Sequence, residues 1–515
     1  MGIRRLSTKI IVTAVLFSLI FVCGFAISGN AATATTETKK TSVVFRTKTE
    51  PDTLDPHRTA GNGDPQLPQY QIYESLFRCE SSGKIVPALC ESYTFTDDKM
   101  SLSVKLREGV KFHDGSSMSA DDVVYSINRS LTTGFNGTYV GNIASVEKID
   151  DKNVKINLKN PYTPIITCLA TLNTAILSKA YVEKNGEDFL ARNPMGTGAY
   201  VFKNWVSGER IDMEAFTDYW RGKASIPQGA FVFIADNSTA LIAVENGEVD
   251  LNDNMNTAEI ATLDGNPKLS HYRGPSAAIL IYSFNTQGKI MSDIRMREAI
   301  SLVVDRQAIS AICYNDEWTP VEAAMLPVLP EFPRDFKAPA LNIERAKALV
   351  KECYPNGITI AMPTIDAPQY SEPSVVLQEA CREIGITLEV DIMERAAWNE
   401  KVIAKTDYEL TVWALVSNAL DADLYASKFY SANAKGGGNF TNTVNSEIDQ
   451  WIERGRITES GPERNKVYLN YVQAVQDYYA CVPFSGNNRD IAANPDLKGV
   501  QTSPTTNYYF WDYSY

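Results

Sequence analysis

Polar and apolar residues alternate over Tyr93-Thr94-Phe95-Thr96, Leu102-Ser103-Val104-Lys105-Leu106 and Asn153-Val154-Lys155-Ile156-Asn157-Leu158. A period of two buries one face of a strand, so each stretch predicts a half-buried strand. Val43-Val44-Phe45 opens an earlier strand, and a helix is expected around Pro68 to Leu76, carrying Tyr73 and Glu74. Ser119-Ala120-Asp121-Asp122 leads into Val123-Val124-Tyr125-Ser126-Ile127. A hydroxyl cap with acids in the first turn starts a helix. Beyond residue 290 the period changes. Helices are expected over Ile294–Ala311, Ile343–Cys353, Val375–Ile384 and Ser446–Arg456, with strands at Ile358–Met362 and Leu410–Trp413. That alternation predicts an α/β half after a β-rich first half. Turn formers cluster at Pro51–Pro56, at Phe112-His113-Asp114-Gly115 and at Asn193–Tyr200, where the chain is expected to return to its first region. Gly436-Gly437-Gly438 is a loop too short to link independent domains.

The N-terminus has its own pattern. Arg4, Arg5 and Lys9 precede an apolar run from Ile10 to Ile27, and Ser28-Gly29-Asn30-Ala31-Ala32 follows. Cation, apolar run and small-residue exit are the order of a secretory signal peptide, with cleavage expected after Ala31. Two alternatives stay open. The run is long enough to span a bilayer as an uncleaved anchor. Cys23 is a second possibility, as a lipidated cysteine, although Val22 stands where lipoprotein signals usually place Gly or Ala. Export to the periplasm is the expectation.

Composition narrows the class. At about 150 residues per domain, 515 residues suggest roughly three lobes or domains. Hydrophobic residues make up 44% and charged residues 22%, enough apolar surface for large cores. A net charge of −13 argues against a nucleic-acid partner, because phosphate binding needs clustered cations. His57, His113 and His271 lie far apart, so no metal site is expected. Outside the leader stand Cys79, Cys90, Cys168, Cys313, Cys353, Cys381 and Cys481, an odd number. Export permits bridges such as Cys79–Cys90 or Cys353–Cys381; buried free thiols are the other reading. G-x-S-x-G, H-E-x-x-H, G-x-x-x-x-G-K-[ST] and Cys-x-x-Cys are all missing. No catalytic group and no cofactor are therefore expected.

Several segments together carry a resemblance. They include Glu50-Pro51-Asp52-Thr53-Leu54-Asp55-Pro56, Tyr73-Glu74-Ser75-Leu76 and Leu106-Arg107-Glu108-Gly109-Val110-Lys111-Phe112-His113-Asp114-Gly115. Others are Gly196-Thr197-Gly198-Ala199-Tyr200, Asp218-Tyr219-Trp220-Arg221-Gly222, Asn246-Gly247-Glu248-Val249-Asp250 and Asp293–Ile300. In this order they resemble the family 5 extracellular solute-binding proteins, the dipeptide, oligopeptide and nickel class that feeds ABC importers. The resemblance implies an α/β, two-lobed clamshell with an extra subdomain in a mixed α+β first lobe. It implies lobe I from 41–80, 193–285 and 489–515, the extra subdomain from 81–192, and lobe II from 286–488. It also implies a monomer that delivers a small ligand or short peptide to membrane permease subunits.

The resemblance directs attention to particular residues. Trp413 ends a strand where the family often lines its pocket with tryptophan. Three residues on, peptide-binding members carry an aspartate for the peptide ammonium; here Val416 stands there. Asp421 or Asp423 would replace it if the loop were rearranged. Ser417 and Asn418 offer neutral hydrogen bonds that also suit sugars or amides. Tyr73, Phe284 and Asn285 lie where the family brings the first lobe to the cleft. Asn439 and Phe440 follow the glycine loop and complete the candidate ligand set. An exported hydrolase and a ligand sensor on the same fold are the rival functions.

Overall fold

The computed structural model describes residues 40–59, 63–133, 137–417, 419–435 and 438–515. The leader lies outside the described residues. No helix among the described residues is long and apolar enough to cross a membrane.

Two strands are far longer than the usual five or six residues or so. Ser270–Phe284 spans 15 residues and Cys481–Ala493 spans 13. They pair antiparallel as the second and third strands from one edge of a nine-stranded sheet. On one side the sheet ends at Leu410–Val416. On the other it continues through Leu251–Asn252, Ser42–Thr47, Gln228–Phe233 and Arg210–Ala215 to Tyr200–Val206.

The apolar pattern of these two strands explains which parts of them are buried. Leu280, Tyr282 and Phe284 face a core with Met296, Ile300 and Trp398. The alternate residues Ala277, Ile279 and Ile281 face a second core with Met325, Tyr425 and Tyr468. Val482 and Phe484 join the first of these, while Ile491 and Ala493 enter a separate core with Phe45, Tyr200 and Phe510. Ser270–Phe284 is thus held on both faces of its C-terminal half, and Cys481–Ala493 at both ends. Between the ends the ladder breaks: Pro275 pairs with Asn488, and pairing resumes only at Ile279 with Gly486. Ser276, Ala277 and Ala278 oppose a single residue there, a bulge that bends the pair. The Ala277 N–H donates to the Pro504 carbonyl (3.0 Å), and the Ala277 carbonyl accepts from the Ser417 N–H (3.1 Å).

The alternating stretches of the first half form strands. Cys90–Phe95, Ser101–Leu106, Asn153–Leu158 and Ile143–Lys148 make a four-stranded antiparallel sheet in that order. Ala120–Thr132 is the helix whose start was legible: the Asp122 carboxylate accepts from the Ser119 N–H at 2.9 Å. Two helical expectations change. The one around Pro68–Leu76 shrinks to Gln69–Ile72, because Tyr73 turns extended. The stretch Ile294–Ala311 splits into Ile294–Ser301 and Arg306–Tyr314, because Asp305 caps a new helix by accepting from the Gln307 and Ala308 N–H groups. Leu410–Trp413 is part of a strand that runs on to Val416. All seven described cysteines are unbridged thiols. Burial pushes Cys79 up to about 11 and Cys90 up to about 12.

Arg464 joins loops of the α/β half. Its guanidinium meets Asp421 at 2.7 Å and Glu331 at 3.0 Å, all three side chains being almost wholly buried. Arg464→Met should strand two buried carboxylates and cost about 3–5 kcal/mol, read as a lower urea midpoint; a midpoint unchanged from wild type would refute this. Two imidazoles are also enclosed. Burial, aided by the Arg129 cation, pushes His57 down to about 4, and burial does the same to His113. Their ordinary value is 6.5, so the unfolded chain binds protons that the folded chain refuses between 6.5 and about 4. The stability these groups contribute is present above that window and lost as pH falls through it. Urea midpoints should drop across the window, and His113→Gln should flatten the slope.

Candidate functional site

A crevice of about 440 Å³ opens at the bulge. That is within the usual range of ligand pockets, roughly 300–1,000 Å³. Ser276, Ala277 and Ala278 form one wall, and Val416 and Ser417 form another. Lys48, Thr49 and Asp64 approach from the exit of the first strand, and Arg489, Thr505 and Thr506 complete the lining with Asn254. The walls therefore come from sequence positions more than four hundred residues apart.

Each wall has a local cause. Val416 pairs with Ala278 at the last step of its ladder, so the strand ends at the crevice mouth and leaves Val416 41% exposed. Ser417 then turns away, its hydroxyl donating to the Ala419 carbonyl at 2.6 Å. Asp64 is fixed by accepting from the Lys48 N–H at 2.6 Å. Arg489 faces the crevice because its neighbour Asp490 takes the opposite face, where it accepts from Arg273 (2.6 Å) and meets the His271 ring (2.7 Å).

Charge around the crevice is mixed. Burial pushes the Asp253 carboxyl above the usual carboxylate range; the Arg489 cation pulls it back, and Asp64 opposes that. Arg46 is fully buried and spends its guanidinium on the Ile234, Ala235 and Asn254 carbonyls and the Asn237 and Asn252 side chains.

The other candidate residues are dispersed. Trp413 stacks on Trp398 with centroids 4.7 Å apart and planes 6° from parallel, and meets the Phe440 ring edge-on at 5.0 Å. The Phe440 carbonyl accepts from Ser283 and Tyr408. Phe284 is wholly buried in the α/β core. Asn285 is a clip: its amide donates to the Tyr408 carbonyl (2.9 Å) and its oxygen accepts from Asn442 (3.1 Å). Tyr73 is buried in the core that holds Phe45 and Phe510, and borders a small internal cavity with Glu74 and Arg78. Asn439 organises its own loop, bonding Thr443 and the Tyr430 carbonyl. Asn418 lies outside the described residues.

Asp421 and Asp423 are both committed elsewhere. Asp421 belongs to the Arg464 pair, and Asp423 accepts from Arg456 (2.8 Å) and from the Tyr162 hydroxyl (2.9 Å). Burial raises the Asp423 carboxyl. This second contact crosses between the four-stranded-sheet region and the α/β half. The Thr163 N–H reinforces it by donating to the Arg456 carbonyl at 2.9 Å, and Lys99 pairs with Glu459 at 2.7 Å. A crevice of about 340 Å³ beside it is lined by Tyr162, Asp423, Lys428 and Arg456.

Sequence reasoning thus reached Val416 and Ser417 in the hinge crevice but missed Asp64, Ser276, Arg489, Thr505 and Thr506. The one available signal was the polar run Thr502-Ser503-Pro504-Thr505-Thr506-Asn507, which is unusual so near a buried C-terminus.

Comparison with known proteins gives a consistent picture. Residues 84–437 match the family model described as bacterial extracellular solute-binding proteins, family 5 Middle. The glutathione-binding protein GsiB of Escherichia coli O1:K1 / APEC is 26% identical over 477 residues, covering 89% of this chain and 92% of the relative. HbpA2 from Haemophilus parasuis superposes with a TM-score of 0.82 at 23% identity, covering 92% of this chain and 99% of that one. The periplasmic binding protein DppA from Helicobacter pylori, solved with the peptide STSA, gives 0.80 at 22% identity, covering 92% and 98%. These likenesses show a two-lobed binding-protein fold, and the family match covers well over half of the sequence. The chain belongs to the family 5 bacterial extracellular solute-binding proteins.

Proposed function

We propose that the chain is an exported binding protein of an ABC importer, that it captures a short peptide at the hinge crevice, and that it hands the peptide to membrane permease subunits. The observation that carries the peptide reading is the end of Leu410–Val416. That strand is the edge of the nine-stranded sheet among the described strands, and it stops at the crevice mouth. A free sheet edge offers alternating N–H and carbonyl groups to an extended backbone. GsiB and DppA, named for glutathione and solved with a peptide respectively, support the same class. The reading includes cleavage after Ala31, a monomer, no catalysis, and lobe I at 41–80, 193–285 and 489–515. The extra subdomain is 81–192 and lobe II is 286–488. Support for that partition comes from three separate cores, around Trp398, Phe510 and Ile156, each of which falls largely within one of these regions.

A thermal-shift screen of the mature chain against di- to pentapeptides and neutral sugars tests the ligand class. A peptide present at about 100 times its Kd should stabilise the protein by about 2.7 kcal/mol and raise the midpoint visibly. Sugars that shift the midpoint where peptides do not would sink the peptide reading. Closure is tested separately. Tyr162→Phe removes a hydrogen bond between the halves, of the kind worth about 0.5–1.5 kcal/mol, so peptide dissociation should accelerate roughly 2–10-fold. Stopped-flow release measured at an unchanged rate would argue against that contact as part of the closed state.

A further inference from the structure

Val416 presents no charge to the crevice, and Asp421 and Asp423 are occupied by Arg464 and Arg456. A peptide with free termini carries an ammonium and a carboxylate, and burying either without a partner is costly. Groups on the crevice floor are free to meet them. The Nε of Arg489 is enclosed and has no hydrogen-bond acceptor, and no described carboxylate lies within ion-pair distance of its guanidinium. Ser276 is 4% exposed, lines the same crevice, and leaves its hydroxyl without a partner. Asp64 lines the crevice and accepts from the Lys48 N–H with one carboxylate oxygen. Asp253, outside the lining but close enough to feel the charges of Asp64 and Arg489, is 8% exposed. Buried polar atoms in native folds are nearly always satisfied, so this concentration of exceptions points to an absent partner.

We propose that the crevice reads both charges of a peptide zwitterion from its hinge floor, with Arg489 and Ser276 receiving the carboxylate and Asp64, backed by Asp253, receiving the ammonium. The balance of charge supports this. Arg46 is spent on its own carbonyl cage, which leaves Arg489 and Lys48 as the lining cations and Asp64 as the lining carboxylate. A ligand carrying only one sign of charge would leave the other group enclosed and unpaired. A guanidinium also matches a carboxylate in a planar, two-bond geometry. The inference rests on the peptide reading and adds to it which residues sense the termini.

The test is calorimetry on the mature chain with pools of di- to pentapeptides, each pool also N-acetylated and C-amidated. Losing either terminal charge should weaken binding about tenfold or more, as expected for hydrogen bonds to charged groups. Arg489→Gln should weaken the free-acid pool by a similar factor while leaving the amidated pool nearly unchanged. Asp64→Asn should do the same for the free-amine pool against the acetylated one. The blocked pools, measured on unaltered protein, decide the matter even if a variant fails to fold. Blocked and free pools that bind within about threefold of each other would overturn the charge assignment and leave the peptide reading standing. Failure of every pool to bind would overturn both.

Discussion

The pairing of Ser270–Phe284 with Cys481–Ala493 is the constraint on which the rest depends. A strand pair holds its geometry only where side chains on both faces are packed. Here both faces are packed along Ile279–Phe284, the start of that strand at Ser270–Pro275 is only partly buried, and Ser276–Ala278 bulge out of register between the two. One end is locked by Tyr282 stacked on Phe484, with centroids 4.4 Å apart. The other is locked by Ile491 and Ala493 in the core that also holds Phe45 and Phe510. The register break lies at the bulge, and the crevice lies against it. Hinge closure around a ligand needs a break of this kind between packed segments.

The distribution of buried charge follows a second rule. An enclosed charge must be matched, and this chain matches most of them internally. Arg464 holds Asp421 and Glu331, Arg129 holds Asp55, and Arg46 sits in a cage of carbonyls. These pairs join loops that are remote in sequence, so they fix tertiary geometry more than they add net stability. Against that background, Arg489, whose Nε is enclosed without an acceptor, and Asp64 stand out as charged groups lining the crevice.

The aromatic side chains divide in the same manner. Trp413 stacked on Trp398, with Phe440 against its edge, stiffens the strand that ends at Val416. Aromatic pairs of this kind contribute about 0.5–1.5 kcal/mol beyond their area burial, so the strand end is held in place before any ligand arrives. An aromatic residue near a cleft can thus serve the cleft by holding its wall.

Much of the architecture was legible in the sequence because it is local. Period-two alternation found the four-stranded sheet, the Ser119–Asp122 cap found its helix, and helical spacing found Ile343–Cys353 to the residue. Ordered segments from Glu50 to Ile300 carried the family, since each reflects a turn or packing requirement tied to that fold. Boundaries were less legible where one side chain decides them: Asp305 divides a helix that periodicity alone would continue. The candidate site was legible only at Val416 and Ser417. Whether Asp421 and Asp423 were free for a ligand depended on Arg464 and Arg456, and Phe284 looked like a cleft residue until its strand was placed between two cores. Arg489, Ser276 and Asp64 carry no periodic or motif signal. They come together because two long strands share a bulge, a long-range pairing that no local window contains.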